Sequence, residues 1–207
     1  MLAALAGSNK PMIYTSGIWS HGDTAGKVVD ETSPPRPTLV QWRQAVEERV
    51  LDAGREGIRT VVIRPAIVYG RGGGIPAEFV DSARKEGGAR FVGAGQNRWP
   101  IVHVDDLADL YLLALERAPA GTLLLAVSGP SYPVKDVAAA ASRGAGAGGR
   151  TIAWPLEEAR KTLGAYADAL VLDQQATGKR AQELLDWRPS RPNVIADIEH
   201  GSYIKKG

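Results

Sequence analysis

The sequence predicts an α/β protein built on a parallel sheet whose inner strands are covered on both faces. Three observations carry that expectation. Thr60-Val61-Val62-Ile63-Arg64 is mostly β-branched with no polar alternation, the pattern of a doubly buried strand. Pro65 cannot donate to a ladder and ends that strand, after which Ile67, Val68 and Tyr69 continue apolar and Gly70 to Gly74 opens a flexible loop. Strand-like and helix-like segments then alternate along the chain. In open α/β sheets ligands sit beyond the carboxyl ends of the strands, so this stretch is expected to deliver its loop into a binding crevice.

In chain order, Met1 to Ala6 forms a short helical fragment ending at Gly7, and Met12 to Ser16 is the first strand. Residues 18–37 are loop, holding His21-Gly-Asp-Thr24 and Pro34-Pro-Arg-Pro37. Thr38 to Gly54 is a helix with Thr38 as N-cap and with Leu39, Trp42, Val46, Val50 and Leu51 near one face. After the Thr60 strand, Ile75 to Lys85 is a helix with Pro76 in its first turn, stopped by Gly87-Gly88. Ala89 to Val92 is a short strand and Trp99 to Val104 is extended. A carboxylate at Asp105 caps the helix Asp106 to Ala118, and Thr122 to Val127 is another buried strand. Val134 to Ser142, Leu156 to Gly164, Thr177 to Leu185 and Val194 to Tyr203 are helices. Thr151 to Trp154 is a short strand, and Gly144 to Gly149 is a loop.

Composition sets the outer limits. At 207 residues, 44% hydrophobic and 23% charged, one domain with a sizeable core is expected over 1–207. Within it, 1–130 carries the sheet with an inserted segment near 71–104, and 131–207 is mainly a smaller lobe. A formal charge of +2 with scattered cations argues against nucleic acid. The one basic run, Lys205-Lys206, is read as a solvated terminus. With no cysteine, disulfides, thiol catalysis and thiolate metal sites are excluded. The three histidines, at 21, 103 and 200, have no metal-ligand spacing. No apolar run approaches the roughly 18 residues of a membrane span, and the start lacks a signal-peptide pattern, so a cytoplasmic protein is expected.

Four segments carry a resemblance. Arg64-Pro65-Ala66-Ile67-Val68-Tyr69-Gly70 resembles the "RP..vYG" segment of the extended and atypical short-chain dehydrogenase/reductases, the NAD(P)-dependent epimerase/dehydratase group. Met12-Ile-Tyr-Thr-Ser-Gly17 resembles the strand before their active site, Arg98 to Ala108 their "hVdDla" segment, and Trp187-Arg-Pro189 their "lGWrP" segment. The resemblance implies a truncated Rossmann-like sheet of about three parallel strands with a C-terminal substrate-type lobe. The family's glycine-rich dinucleotide fingerprint is absent, so the chain is read as the C-terminal part of the family fold, as a natural short form, a fragment or a chain with a misplaced start. A sheet so reduced exposes an edge, and a homodimer is the expected cover.

The resemblance also implies a Tyr-x-x-x-Lys pair on the helix after the first strand. It is missing: one register puts Leu39 and Arg43 at those places, the other Val40 and Gln44. Arginine holds anions but does not deprotonate for acid–base work. Gly17 stands near the family's Ser/Thr position. Substitute catalytic candidates are Tyr69, His21 and Ser16, with Tyr14 more in keeping with core. Thr15, Pro65, Ala66, Ile67 and Val68 are expected to line an NAD or NADP site. Trp19, Arg71 and Arg98 are expected on the substrate side, Arg71 as an anion contact within its glycine loop. Arg64 otherwise snorkels, and His21 otherwise sits at the surface. His103 is expected to brace the Asp105-Asp106 cap.

Three functions are compatible with these residues. The first is an NAD(P)-dependent oxidoreductase or isomerase acting on a small polar, possibly sugar-derived metabolite, with altered chemistry. The second is a non-redox isomerase or cyclase reusing the crevice. The third is a non-enzymatic metabolite-binding or regulatory protein.

Overall fold

A computed structural model describes residues 2–8, 10–191 and 193–204; Met1 and the Lys205-Lys206 run lie outside the described residues. The central sheet has three parallel strands in the order β1 (Met12–Thr15), β3 (Thr60–Pro65), β8 (Thr122–Ala126). Every residue of β3 is buried, as its β-branched run requires. Burying each such side chain contributes roughly 1.5–3 kcal/mol. Pro65 closes β3. Ala66 N–H then donates to the Ala126 carbonyl at 3.0 Å and Ile67 N–H to the Pro100 carbonyl at 3.0 Å, so the chain leaves the sheet as β4 (Ile67–Tyr69), parallel to β7 (Ile101–His103). The expected Rossmann-like α/β architecture, reduced to three parallel strands flanked by helices, is what the structure shows.

Helix α1 (Trp42–Arg55) packs on β3. It begins four residues later than the sequence suggests, and Thr38 does not cap it: Gln41 stands at the N-cap, and Thr38 Oγ1 is buried with no partner among the described residues. The expected inner face is also shifted. Leu39, Trp42 and Val46 are 40, 61 and 37% exposed, while Glu47, Val50, Ala53 and Gly54 face inward. The reason is local. A Cβ at Gly54 would lie 2.3 Å from Gly121 N, so the helix seats its glycine against the turn before β8 and turns its larger apolar side outward.

Helix α3 (Val104–Arg117) is capped by His103, whose Nδ1 accepts from Asp105 N–H at 3.1 Å, rather than by a carboxylate. His103 thus braces the cap as expected. Asp106, 1% exposed, faces away from that cap and accepts from the Ser190 and Arg191 N–H groups at 3.1 and 3.0 Å. Residues 18–37 are not wholly loop: β2 (Val28–Val29) pairs in parallel with β11 (Gln175–Ala176). From the same stretch, Glu31 Oε1 accepts the Leu125 N–H at 2.7 Å and occupies backbone on the outer edge of β8. On the other side, β1 pairs only with β3 among the described residues.

Two apolar clusters divide the interior. One lies around β3, β8 and α3, joined by α7 (Lys179–Leu185) and Trp187. The other unites β4 with α2 (Ile75–Glu86), β5 (Ala89–Val92), α4 (Val134–Gly144) and α8 (Val194–His200). Around that second cluster, β5 pairs in parallel with β10 (Thr151–Trp154), and β6 (Arg98–Trp99) antiparallel with β9 (Tyr132–Pro133). Helices α5 (Leu156–Leu163) and α6 (Tyr166–Leu170) follow. No helix among the described residues is long and apolar enough to cross a membrane.

Candidate functional site

The carboxyl ends of β1 and β3 open into a crevice of about 430 Å³. Ser16 N–H donates to the Ile63 carbonyl at 2.8 Å, so the ladder runs to the rim and fixes Thr15 and Ser16 there. The chain then turns through a short 3-10 helix, Ile18–His21, which puts Ile18 and Trp19 on one wall. Pro65 to Val68 forms a second wall, Val40 and Arg43 a third, and Gly74 with Ile75 closes the far side. Seven residues expected at a ligand site, Thr15, Ser16, Trp19, Pro65, Ala66, Ile67 and Val68, therefore meet in one place.

The lining is largely apolar, and its hydroxyls are backed by others. Ser16 Oγ lies 3.1 Å from the buried Ser20 Oγ, and Thr15 Oγ1 lies 2.6 Å from the Tyr111 hydroxyl. Burial pushes the Tyr111 phenol pKa up, opposed by its hydrogen bond to Thr15. Neither Ser20 nor Tyr111 stands out in the sequence; Tyr111 is one apolar-face residue among several on α3. Trp19 presents an indole N–H with no acceptor among the described residues and meets Tyr166 edge-on at 5.9 Å.

The other candidates lie elsewhere. His21 is 2% exposed, not at the surface, and faces a separate small cleft. Its Nε2 accepts from Arg64 Nη1 at 2.9 Å. Burial, then the Arg64 charge, lowers its pKa to about 4, so it is neutral near pH 7. Arg64 does not snorkel: its Nε donates to Glu47 Oε1 at 3.0 Å and its Nη2 to Glu47 Oε2, a bidentate pair with both side chains below 10% exposure. Glu47 escapes sequence reasoning because it sits among exposed charged residues of α1. The triad Glu47–Arg64–His21 ties together three segments that carry crevice walls.

Tyr69 is 1% exposed, donates to the Arg191 carbonyl and packs edge-on against His103 at 5.1 Å. Burial raises its pKa further above the phenol range. Tyr69 packs into the lobe cluster, whereas Val68 packs on the cluster around the central sheet and lines the crevice. Arg71 pairs with Asp105 at 2.7 Å. Three amides of its glycine loop are already engaged: Gly70 N–H donates to the Tyr203 hydroxyl at 2.8 Å, Gly72 N–H to Ser202 Oγ at 3.1 Å and Gly73 N–H to the Gly70 carbonyl at 3.0 Å. Arg98 donates to the Ser131 carbonyl at 2.8 Å, away from the crevice.

A nicotinamide ring suits the apolar Pro65–Val68 wall and the rim hydroxyls. The pyrophosphate end of a dinucleotide is another matter. No glycine-rich turn between a strand and a helix of the central sheet exists in this sequence to hold it. Beside the crevice, sharing Ile75, a pocket of about 180 Å³ lies under α2, where Phe79 stacks on Trp99 at 5.7 Å. Burial raises the pKa of Glu78 at its edge.

Comparison with known proteins gives a consistent picture. Over 97% of its length the chain is 29% identical to an uncharacterized protein of Schizosaccharomyces pombe, covering 67% of that protein. Over 96% it is 28% identical to one of Saccharomyces cerevisiae, covering 66%. The chain thus spans about two thirds of the relatives it matches. Among solved structures, a human epimerase family protein with NADPH superposes with a TM-score of 0.74 at 24% identity, covering 93% of this chain and 65% of that one. UDP-glucose 4-epimerase of Thermus thermophilus in complex with NAD gives 0.73 at 20%, covering 93% and 64%. A functionally unknown conserved protein from Silicibacter pomeroyi gives 0.76 at 25%, covering 97% and 71%. The model of the NAD dependent epimerase/dehydratase family matches residues 22–125, half of the chain, and this chain belongs to that family.

Proposed function

We propose that the crevice takes the nicotinamide end of NAD(P) beside a small polar metabolite, and that the protein works as an epimerase-like oxidoreductase or isomerase with altered proton handling. One observation carries this: Thr15, Ser16 and Pro65–Val68 converge at the carboxyl ends of β1 and β3, where this fold class binds its ligands. Bound NAD(P) would supply hydride chemistry. The chain's own part is to seat the ring on the Pro65–Val68 wall, to hold the substrate near Trp19 and to move protons. Neither register of the family's Tyr-x-x-x-Lys pair, Leu39 with Arg43 or Val40 with Gln44, supplies a phenol and an ammonium, so protons pass instead through the rim hydroxyls, Ser16 backed by Ser20 and Thr15 backed by Tyr111.

A non-redox isomerase or cyclase in the same crevice is the second reading, favoured by the lack of a phenol among the lining residues. Titration with NADH and NADPH, followed by energy transfer from the five tryptophans, tests the first reading. Saturable micromolar binding is expected. No binding to either would retire it, and turnover that survives complete removal of nucleotide would favour the second.

A further inference from the structure

Charge accounting around the crevice singles out one side chain. Arg64 is held by Glu47, Arg71 by Asp105 at 2.7 Å, and Arg191 by Asp106 at 3.2 Å. Arg43, on the crevice wall, has no carboxylate partner among the described residues. Its Nη1 donates to the Thr15 carbonyl at 3.3 Å, and its guanidinium lies over the Trp42 ring at 5.0 Å. The ordinary partner for Arg43 is Glu47, one helical turn on at i+4. That carboxylate is buried in the bidentate pair with Arg64. The interior ion pair therefore leaves Arg43, half-buried on the crevice wall, with a carbonyl and an indole face but no carboxylate, and an anion entering the crevice is its natural counter-charge.

We infer that the crevice selects a small monocarboxylate. Arg43 engages the carboxylate oxygens, and the apolar remainder of the molecule packs against Ile18, Trp19, Val40 and Ala66. A single cation balances a single charge; a dianionic phosphate ester would bring an unpaired charge into an apolar site. The inference rests on the crevice being the ligand site of the proposed function, but not on nucleotide binding.

The test uses the full chain without nucleotide. Cyclohexanecarboxylate, cyclohexanecarboxamide and cyclohexyl phosphate are titrated by calorimetry into wild type, Arg43→Gln and Arg43→Lys, with circular dichroism confirming that each variant is folded. Wild type is expected to bind the carboxylate about tenfold or more tighter than the amide. Arg43→Gln abolishes that preference, and Arg43→Lys retains part of it. Equal binding of acid and amide, a preference that survives in Arg43→Gln, tighter binding of the phosphate, or no binding of any probe each overturns the inference. NADPH is titrated into the same proteins. Loss of NADPH binding in Arg43→Gln without any carboxylate preference would assign Arg43 to the nucleotide and overturn the inference while sparing the proposed function. A carboxylate preference in a protein that binds no NADPH would do the reverse.

Discussion

Replacing Glu47 by Gln is expected to cost more stability than its one-atom change suggests. Glu47 and Arg64 have side chains 3 and 7% exposed, and the guanidinium spends two donors on the carboxylate and one on His21. Removing the charge of one partner strands the other in the interior, which typically costs about 3–5 kcal/mol. The lower end applies here, because the Gln carbonyl still accepts one N–H and His21 still accepts another: about 3 kcal/mol. At roughly 2–4 °C per kcal/mol for a domain of this size, Tm falls by about 6–12 °C. Urea unfolding and thermal melting followed by circular dichroism measure both quantities. The double variant Glu47→Leu with Arg64→Met should recover most of the loss, since apolar residues of similar volume replace a buried pair at little cost. Glu47→Gln within about 0.5 kcal/mol of wild type would refute the reasoning, because that is the range of an ordinary surface change. So would a double variant as unstable as the two single losses added.

Other expectations follow from the same packing. His21 has an ordinary pKa near 6.5 and a folded value of about 4, so the unfolded chain takes up the proton first as pH falls. Its contribution is complete above about pH 6.5 and is lost between there and about pH 4, roughly 2–3 kcal/mol. The urea stability gap between wild type and His21→Gln should therefore shrink from about pH 7.5 to about pH 4.5; a gap independent of pH contradicts this. Asp106→Ala unpairs the Ser190 and Arg191 amides and takes one of two carboxylates from the Arg191 guanidinium, leaving Asp105 at 3.8 Å. It should cost about 2–4 kcal/mol and speed hydrogen exchange of those two amides. The edge of β1, unpaired among the described residues, leads us to propose that a second copy covers it, so sedimentation equilibrium at micromolar concentration should give twice the chain mass. A well-folded monomer would refute that.

The fold was legible where the signal was local. The β-branched run at Thr60–Arg64, the proline after it and the glycines after Glu86 each dictate their own backbone, and the strands and most helices stand where those residues put them. Strand ends could likewise be placed at the crevice from topology alone. What could not be read was long-range pairing. His21 and Arg64 are 43 residues apart, and only packing shows that each consumes the other. Glu47 looks like any helix-surface acid, and Tyr111 like any apolar-face residue, until α1 and α3 are laid on the sheet. Tyr69 stands one residue beyond Val68, yet it packs into the lobe cluster while Val68 lines the crevice. The Arg71 loop has the composition of an anion cradle, but its Gly70 and Gly72 amides are taken by side chains about 130 residues downstream.

Saturation-transfer NMR with NADPH tests most directly whether the crevice is a nicotinamide site, since it reports which end of the dinucleotide touches the protein. The strongest transfer should fall on the nicotinamide ring protons, with weaker transfer to the adenine, and it should fade in Ala66→Phe, which fills the wall between Pro65 and Ile67. Transfer concentrated on the adenine, or none to either ring, would contradict it.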